Sequence, residues 1–435
     1  MTAPAPEPAQ LVRTLSLWQV TATGIGIVIG AGIYVLIGEA AQEAGPGLWM
    51  SFIVAAVLSA LTGLSYAELA GMYPTAGAEY EFARQAFNEF IAFLIGWMMV
   101  LALLIAAGAV SLGFAHYAQH FLDVPLRLAA VGLLSVLTLI VAAGIQRSIW
   151  FSVTLAALQV GGLLMVIATG AEHIGDRALV EGASVAGVLS GAALVFFAFI
   201  GFDEVVTLSE ETHDANRNIP RALLISLTIS AGLYMLVGVA AVSVVGAEAL
   251  AGSDRPLALV IAHNWGSRAS DIVAFIALAS TTNTSLLCLT AASRNMFGMA
   301  RGGSLPRFLA TLGPQAHAPY AAAACGLAVA VAFALTGDIG VVASVTAFSV
   351  YLIFVAVNVA LVVLRFARPE APRTFRVPGA IGRLPLSPLA ATLTVAVMMA
   401  FLDPLAWALG GGALAAGAAA WVALAAGRGG RIRSS

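Results

Sequence analysis

The chain holds 435 residues, of which 60% are hydrophobic and 10% charged, with a formal net charge of −2. Its mean hydropathy is +0.97. A soluble domain carries about 25% charged residues, so this much apolar surface has no water-soluble core to hide in. The composition excludes an ordinary soluble enzyme and points to an all-α protein that crosses a membrane many times.

The N-terminal stretch 1–15 is Pro/Ala-rich and polar, with Arg13 its only basic residue. It reads as a cytosolic tail and not as a cleavable leader, the first apolar helix itself directing insertion. A span needs about 20 mostly apolar residues. About twelve candidates follow, at 16–38, 47–71, 89–119, 125–143, 149–171, 186–208, 219–246, 270–299, 318–336, 339–365, 386–403 and 404–426. They group as 16–171, 186–365 and 386–426, with a cytosolic tail at 427–435.

The first span contains TATGIGIVIGAGIYVLIG (21–38), with glycine at 24, 26, 30, 32 and 38. Each glycine costs a helix interior about 0.5–1 kcal/mol relative to alanine. Between the second and third spans, AGAEYEFARQAFNEF (76–90) is amphipathic and reads as a short cytosolic helix, an ordinary loop being the alternative. The sixth span carries FFAFIGFDEVVTLSEE (196–211), which sets Gly201 beside Asp203 and Glu204. Carboxylates near a bilayer centre are expensive and mark a pathway or a site.

Spans one and six stand five apart, the offset between equivalent helices of two five-helix inverted repeats. Interrupted helices at matching positions of two halves point to a midplane binding site. A break frees N–H groups at the start of the second half, which suit a carboxylate. It frees C=O groups at the end of the first half, which suit an ammonium group or a cation. The alternative is that these glycines only let helices pack closely.

Later segments are quieter. RFARPEAPRTFRVPGAIGRLP (365–385) reads as a cytosolic loop broken by prolines. Cys288 and Cys325 both fall in apolar runs and imply packing, with no disulfide framework. Histidines 116, 120, 173, 213, 263 and 317 fall in or near loops without metal-ligand spacing. No HExxH, nucleotide loop or Ser-His-Asp arrangement is present, so nothing supports an enzyme or a cofactor. All 20 basic residues are arginine. With the N-terminus inside, sixteen fall on the cytosolic side and only Arg127, Arg177, Arg255 and Arg268 outside. That bias fits the positive-inside rule and places both termini in the cytosol.

Four stretches carry a resemblance. They are GIGIVIGAGIYVLIG in the first span, GLSYAELAGMYPTAGAEYEFARQAFNEFIAFLIGW (63–97), FFAFIGFDEVVTLSEETHDANRNIPRAL (196–223) and AASRNMFGMARGGSLPRFL (291–309). Together they resemble an amino acid permease of the amino acid–polyamine–organocation (APC) superfamily, nearest its cationic amino acid transporter-like branch. The resemblance implies a LeuT-like fold of two inverted five-helix repeats plus two helices, with helices 1 and 6 discontinuous. It implies alternating access, with the substrate at the breaks. Gly30, Ala31 and Gly32 would offer N–H groups to its carboxylate, and the carbonyls of Val28, Phe197, Ala198 and Ile200 would take its amino group. Phe199 and Phe202 would be gate or pocket aromatics, or else packing.

Two positions depart from the family. A lysine expected in the fifth span, counted from Gly144, is Gln159, and the chain contains no lysine at all. A glutamate expected in the third span is absent, with Ala102 and Leu103 standing there. Thr281, Thr284 and Ser285 in STTNTSLL (280–287) share one helix face by spacing. With the carbonyls of Gly26 and Ile29 they would suit a sodium ion, hard oxygen ligands favouring a hard cation. The alternative is that these hydroxyls bond back to the preceding turn. Asp203 and Glu204 are the candidate proton carriers, or caps of the second half-helix. Glu210, Glu211 and Asp214 read as partners of Arg217 and Arg221.

The third-span candidates Met98, Ala102, Ile105, Ala106 and Ala109 are apolar. The expected substrate is therefore a neutral amino acid, small or apolar. The alternatives are a polyamine or other amine permease of the same fold, and a non-transporting membrane sensor or scaffold. The Ala/Gly/Arg-rich, lysine-free composition suits a bacterial inner membrane. The lipid bilayer is the expected partner, nucleic acid is not, and no residue pattern fixes an oligomeric state or chooses between sodium and proton.

Overall fold

The structure is a computed structural model and describes residues 15–74, 78–142, 149–312 and 319–432. Arg13, Gly144, Arg147, His317 and Arg433, with the ends of both tails, lie outside those residues. The described chain is helical apart from a two-stranded hairpin, β1 (Ala380–Ile381) with β2 (Leu384–Pro385). In chain order the helices are α1 (Leu17–Val28), α2 (Gly32–Ala44), α3 (Leu48–Met72), α4 (Ala78–Ala86), α5 (Glu89–Ala118), α6 (Leu126–Ala142), α7 (Ile149–Ala171) and α8 (Val185–Val195). There follow α9 (Ala215–Val245), α10 (Ala247–Ala251), α11 (Pro256–Arg301), α12 (Tyr320–Ala334), α13 (Ile339–Ala367), α14 (Leu386–Met399) and α15 (Pro404–Ile432).

Local chemistry sets several boundaries. Ser16 and Gln19 form a reciprocal capping box at the start of α1, satisfying amides that the helix leaves free. Asn88 caps α5 by accepting from Ile91 N–H at 2.9 Å. Ser184 and Asp338 do the same for α8 and α13. The first helical region outruns the apolar stretch ending at residue 38. Glu39, Gln42 and Glu43 carry α2 on to Ala44, where Gly45 at φ 57° and Pro46 stop it. An apolar window marks where lipid ends, and a helix can continue beyond it. Likewise α11 is longer than the span 270–299, and Gly266 at φ 77° divides it.

Seven stretches of the described residues are long and apolar enough to cross a membrane, and shorter apolar helices accompany them. Large apolar side chains lie open on the outer surface, Leu139 at 71%, Leu393 at 68% and Phe275 at 64% exposure. In water such a surface would be a liability; against lipid it is solvated. Inside, α3 packs along α9, while α5 lies against α11 and α13. Of the candidate spans, α5 is the most buried and the one beginning at Pro404 the least. The core therefore sits around α5, beside the two places where helices are interrupted.

Candidate functional site

The first interruption follows Val28. Ile29 closes α1 by donating its N–H to Ile25 O at 2.7 Å, and α2 begins three residues later at Gly32. Ala31 N–H donates to Thr284 Oγ1 at 3.1 Å, a hydroxyl brought in by α11. The glycines here are required by contact. A Cβ on Gly30 would stand 2.9 Å from Thr284 Oγ1, and one on Gly32 would stand 2.6 Å from Ala198 Cα.

Ala198 belongs to the second interruption, so the two breaks cross backbone against backbone. There α8 ends at Val195, a 3₁₀ turn covers Phe196–Phe199, and Ile200 is extended. Gly201 takes φ 114°, which side-chain-bearing residues rarely adopt. Its N–H is held by Asp203 Oδ1 at 3.0 Å. The chain then continues as 3₁₀ over Asp203–Glu211, tighter than the expected second half-helix. Asp203 thus braces the break by accepting the Gly201 N–H, while the 3₁₀ segment itself, entered at Phe202, has no side-chain cap.

One side chain ties the breaks together. The Tyr234 hydroxyl of α9 lies 2.6 Å from Val28 O and 3.0 Å from Ala198 O. Its single proton serves one carbonyl at a time. Both carbonyls were expected to face a substrate amino group, and in this structure Tyr234 meets them. Of the other two, Phe197 O accepts from Ile200 N–H at 3.2 Å, within the 3₁₀ turn, while Ile200 borders a cavity. Phe199 and Phe202 are fully buried. Phe199 sets its edge on Tyr234, with ring centres 5.1 Å apart. Phe202 packs with Tyr66 and Phe354. Both stand as packing aromatics here.

The cavity encloses about 30 Å³ between α5, the second break, α11 and α13. That is room for one water. Met99, Ala102, Leu103, Ala106 and Val350 supply apolar wall, and Asp203, Glu204, Cys288 and Thr346 border it. Ala102 and Ala106 were anticipated; Met98, Ile105 and Ala109 are buried outside this lining. Cys288 packs against the core and also borders the cavity, while Cys325 is exposed; both are free thiols.

Of the hydroxyls proposed for a coupling ion, Thr281 and Thr284 have other partners. Thr281 Oγ1 donates to Ala277 O at 2.8 Å, back to the preceding turn. Thr284 accepts from Ala31, and the buried Ser285 Oγ has no hydrogen-bond partner among the described residues. Gly26 lies within α1, and Ile29 is its C-cap. Gln159 is buried, its Nε2 donating to Ser280 Oγ at 3.0 Å while its backbone carbonyl accepts from Tyr34 at 2.9 Å. At the expected lysine position a neutral amide therefore bridges α7 to α11. Asp214 precedes α9 at φ 49°; the side chains of Glu210 and Glu211 lie outside the described residues.

Residues 15–423 match the amino acid permease family model. The chain belongs to that family, within the APC superfamily. This permease is 33% identical over 395 residues to a branched-chain amino acid permease of Bacillus subtilis (strain 168), covering 85% of this chain and 84% of the relative. It is 30% identical over 390 residues to a methylthioribose transporter of the same organism, with 85% and 84% covered. A vacuolar cationic amino acid transporter of Arabidopsis thaliana is 30% identical over 391 residues, with 83% of this chain and 65% of the relative covered. The protein is a multi-pass membrane transporter of amino acids and not an enzyme.

Two residues of the permease's site were missed in the sequence. Tyr234 is a single tyrosine in an apolar span and looks like packing. Glu79, on α4, is buried with its carboxyl toward Tyr66, Asp203 and Glu204. Burial, and then the charge of Asp203, pushes Glu79 up to about 8. The amphipathic pattern of 76–90 was a signal that one face of α4 is covered; what covers it was not.

Proposed function

We propose that this permease is a secondary active transporter of neutral, apolar amino acids, working by alternating access in the cytoplasmic membrane with both termini inside. The reading takes 16–171 and 186–365 as two inverted five-helix repeats, followed by two helices in 386–426. Family membership implies that LeuT-like fold. The observation that carries the reading is the crossing of two helix interruptions, Gly32 against Ala198, beside a cavity walled by Ala102, Ala106 and Val350.

A broken helix offers N–H groups to a carboxylate and C=O groups to an ammonium. The N–H groups of Gly30 and Gly32, and Ala31 once Thr284 yields, would hold the carboxylate. Val28 and Ala198 would receive the amino group in place of the Tyr234 hydroxyl. The side chain then extends toward the apolar wall. Asp203 spends its carboxylate on the backbone, which argues against a cationic side chain there. The similarity to a branched-chain amino acid permease supports the same class.

A proteoliposome uptake panel of labelled leucine, isoleucine, valine, alanine, arginine and a polyamine tests this. Saturable uptake of the branched and small apolar members is expected, with arginine and the polyamine at least tenfold slower. Absence of saturable uptake of every neutral member overturns the reading. Replacing sodium by choline, and varying pH independently, assigns the driving ion among Ser285, Thr281 and Gln159 on one hand and Asp203 on the other.

A further inference from the structure

The stretch 368–378, following α13, is not a free loop. Its Arg373 guanidinium is nearly inaccessible and meets five acceptor groups. Nη1 donates to Pro369 O at 3.2 Å and Ala371 O at 3.0 Å. Nη2 donates to Leu364 O at 3.1 Å and Arg368 O at 3.0 Å. Nε lies 3.0 Å from Glu68 Oε1 on α3. The Glu68 carboxylate is fully buried, and it also binds Arg365 of α13 and accepts from Val377 N–H at 2.8 Å.

Further bonds extend the same seam. Thr374 Oγ1 donates to Asn216 O at the start of α9, and Asn216 Nδ2 donates to Gly71 O of α3 at 3.2 Å. Arg368 reaches Tyr73 Oη at 3.1 Å. Two turns up α13, Asn358 accepts from Ser65 at 2.6 Å and donates to Thr62 at 3.2 Å. Thr62, Ser65 and Glu68 thus form one polar face of α3 against Asn358 and Arg365 of α13.

The most extensive contact of α13 is with α5, and among the described residues no hydrogen bond joins that pair. Apolar contact is non-directional and permits sliding. A buried charge cannot leave its partners without being stranded at a heavy cost. Of α3 and α5, α13 is therefore bonded to the first and only leans on the second, while α4, α14 and α15 also pack against it.

We infer that 368–378 is a permanent strap fastening the inner half of α13 to α3 and α9, so that these three move as one body while α13 slides on α5. Glu68 and Arg373 act as positioning residues that decide which helices travel together. The inference rests on the alternating-access reading above. It assigns no substrate contact to the strap.

A disulfide tests it directly. A Cβ on Gly71 would stand 2.7 Å from Thr374 Oγ1, so Gly71→Cys with Thr374→Cys, in the Cys325→Ser background, joins α3 to the strap. Leucine uptake is measured in proteoliposomes on one preparation, first reduced and then oxidised with copper phenanthroline. Crosslinking detected by mass spectrometry, with oxidised uptake within twofold of the reduced rate, supports a permanent strap. Uptake that collapses on oxidation and returns with dithiothreitol overturns it, since the strap must then open in each cycle. Failure of the pair to crosslink overturns it as well. Saturable uptake in the reduced sample reports the transport reading separately, so the two ideas can fail independently.

Discussion

The two helix interruptions reach a similar end by different means. The first spans three residues, 29–31, between two α-helices, and it takes its hydroxyl partner from elsewhere, Thr284 of α11. The second is drawn out into 3₁₀ turns from Phe196 to Glu211 and is braced from within by Asp203, which accepts from Gly201 N–H. No ionisable side chain lies in the first; Asp203 and Glu204 lie in the second, with Glu79 facing them. The first break is therefore a neutral dipole site whose shape depends on its neighbours. The second holds its own shape and concentrates the charge. A transporter needs both kinds: a fixed frame and a part whose partners can be exchanged for a substrate.

The largest effect is expected where the two meet. Gly32→Val would drive side-chain atoms into the Ala198 backbone, which has nowhere to retreat. Overpacking of this kind costs about 1–3 kcal/mol. Uptake should fall at least 100-fold, while detergent-solubilised protein still elutes as a folded peak. Uptake within threefold of the unsubstituted protein would show that the breaks do not need to touch.

Next in size is the bridge between them. Tyr234→Phe keeps the ring against Phe199 and removes the hydroxyl from both carbonyls. A net hydrogen bond is worth about 1 kcal/mol. The thermal midpoint should drop by about 1 °C, and the KM for leucine should change at least threefold, because the amino-group carbonyls lose their competitor. A change in stability with KM unmoved would confine Tyr234 to packing.

The division between what could be read and what could not follows from these same residues. The interruptions were legible because their cause is local: glycines at 30, 32 and 201 weaken a helix wherever it folds. The apolar spans were legible because lipid imposes length. Tyr234 and Glu79 were not, because each acts through residues more than a hundred positions away, on Val28 and Asp203. The 281–285 hydroxyls show a third case. Their spacing places them on one face correctly, yet the same spacing serves back-bonding, as Thr281 does, and inter-helix bonding, as Thr284 does. The 3₁₀ form of the second break was also hidden in the sequence.

A smaller effect separates the brace of the second break from its charge. Asp203→Asn retains an oxygen for Gly201 N–H, whereas Asp203→Ala leaves that buried amide unpaired, at about 1–3 kcal/mol. If bracing is the role, Asn should keep uptake within threefold and Ala should lose at least tenfold. If Asn is as damaged as Ala, the carboxylate itself is needed and the second break carries protons.

The smallest expected effect reads the charge difference between the breaks through pH. Glu79 is held well above its ordinary range, at about 8, by burial and by Asp203. The folded protein therefore binds its proton more tightly than the unfolded chain does. Stability from this group is complete at pH 4 and declines as pH rises toward 8, where the folded form must accept a buried negative charge. Thermal midpoints should fall between pH 5 and 8 and level off above, and Glu79→Gln should flatten that slope. Thr284→Val, which disturbs only the neutral first break, should shift the whole curve downward without changing its slope. A slope that survives in Glu79→Gln would place the titrating group elsewhere, and a slope lost in Thr284→Val would mean that the first break is not electrically silent.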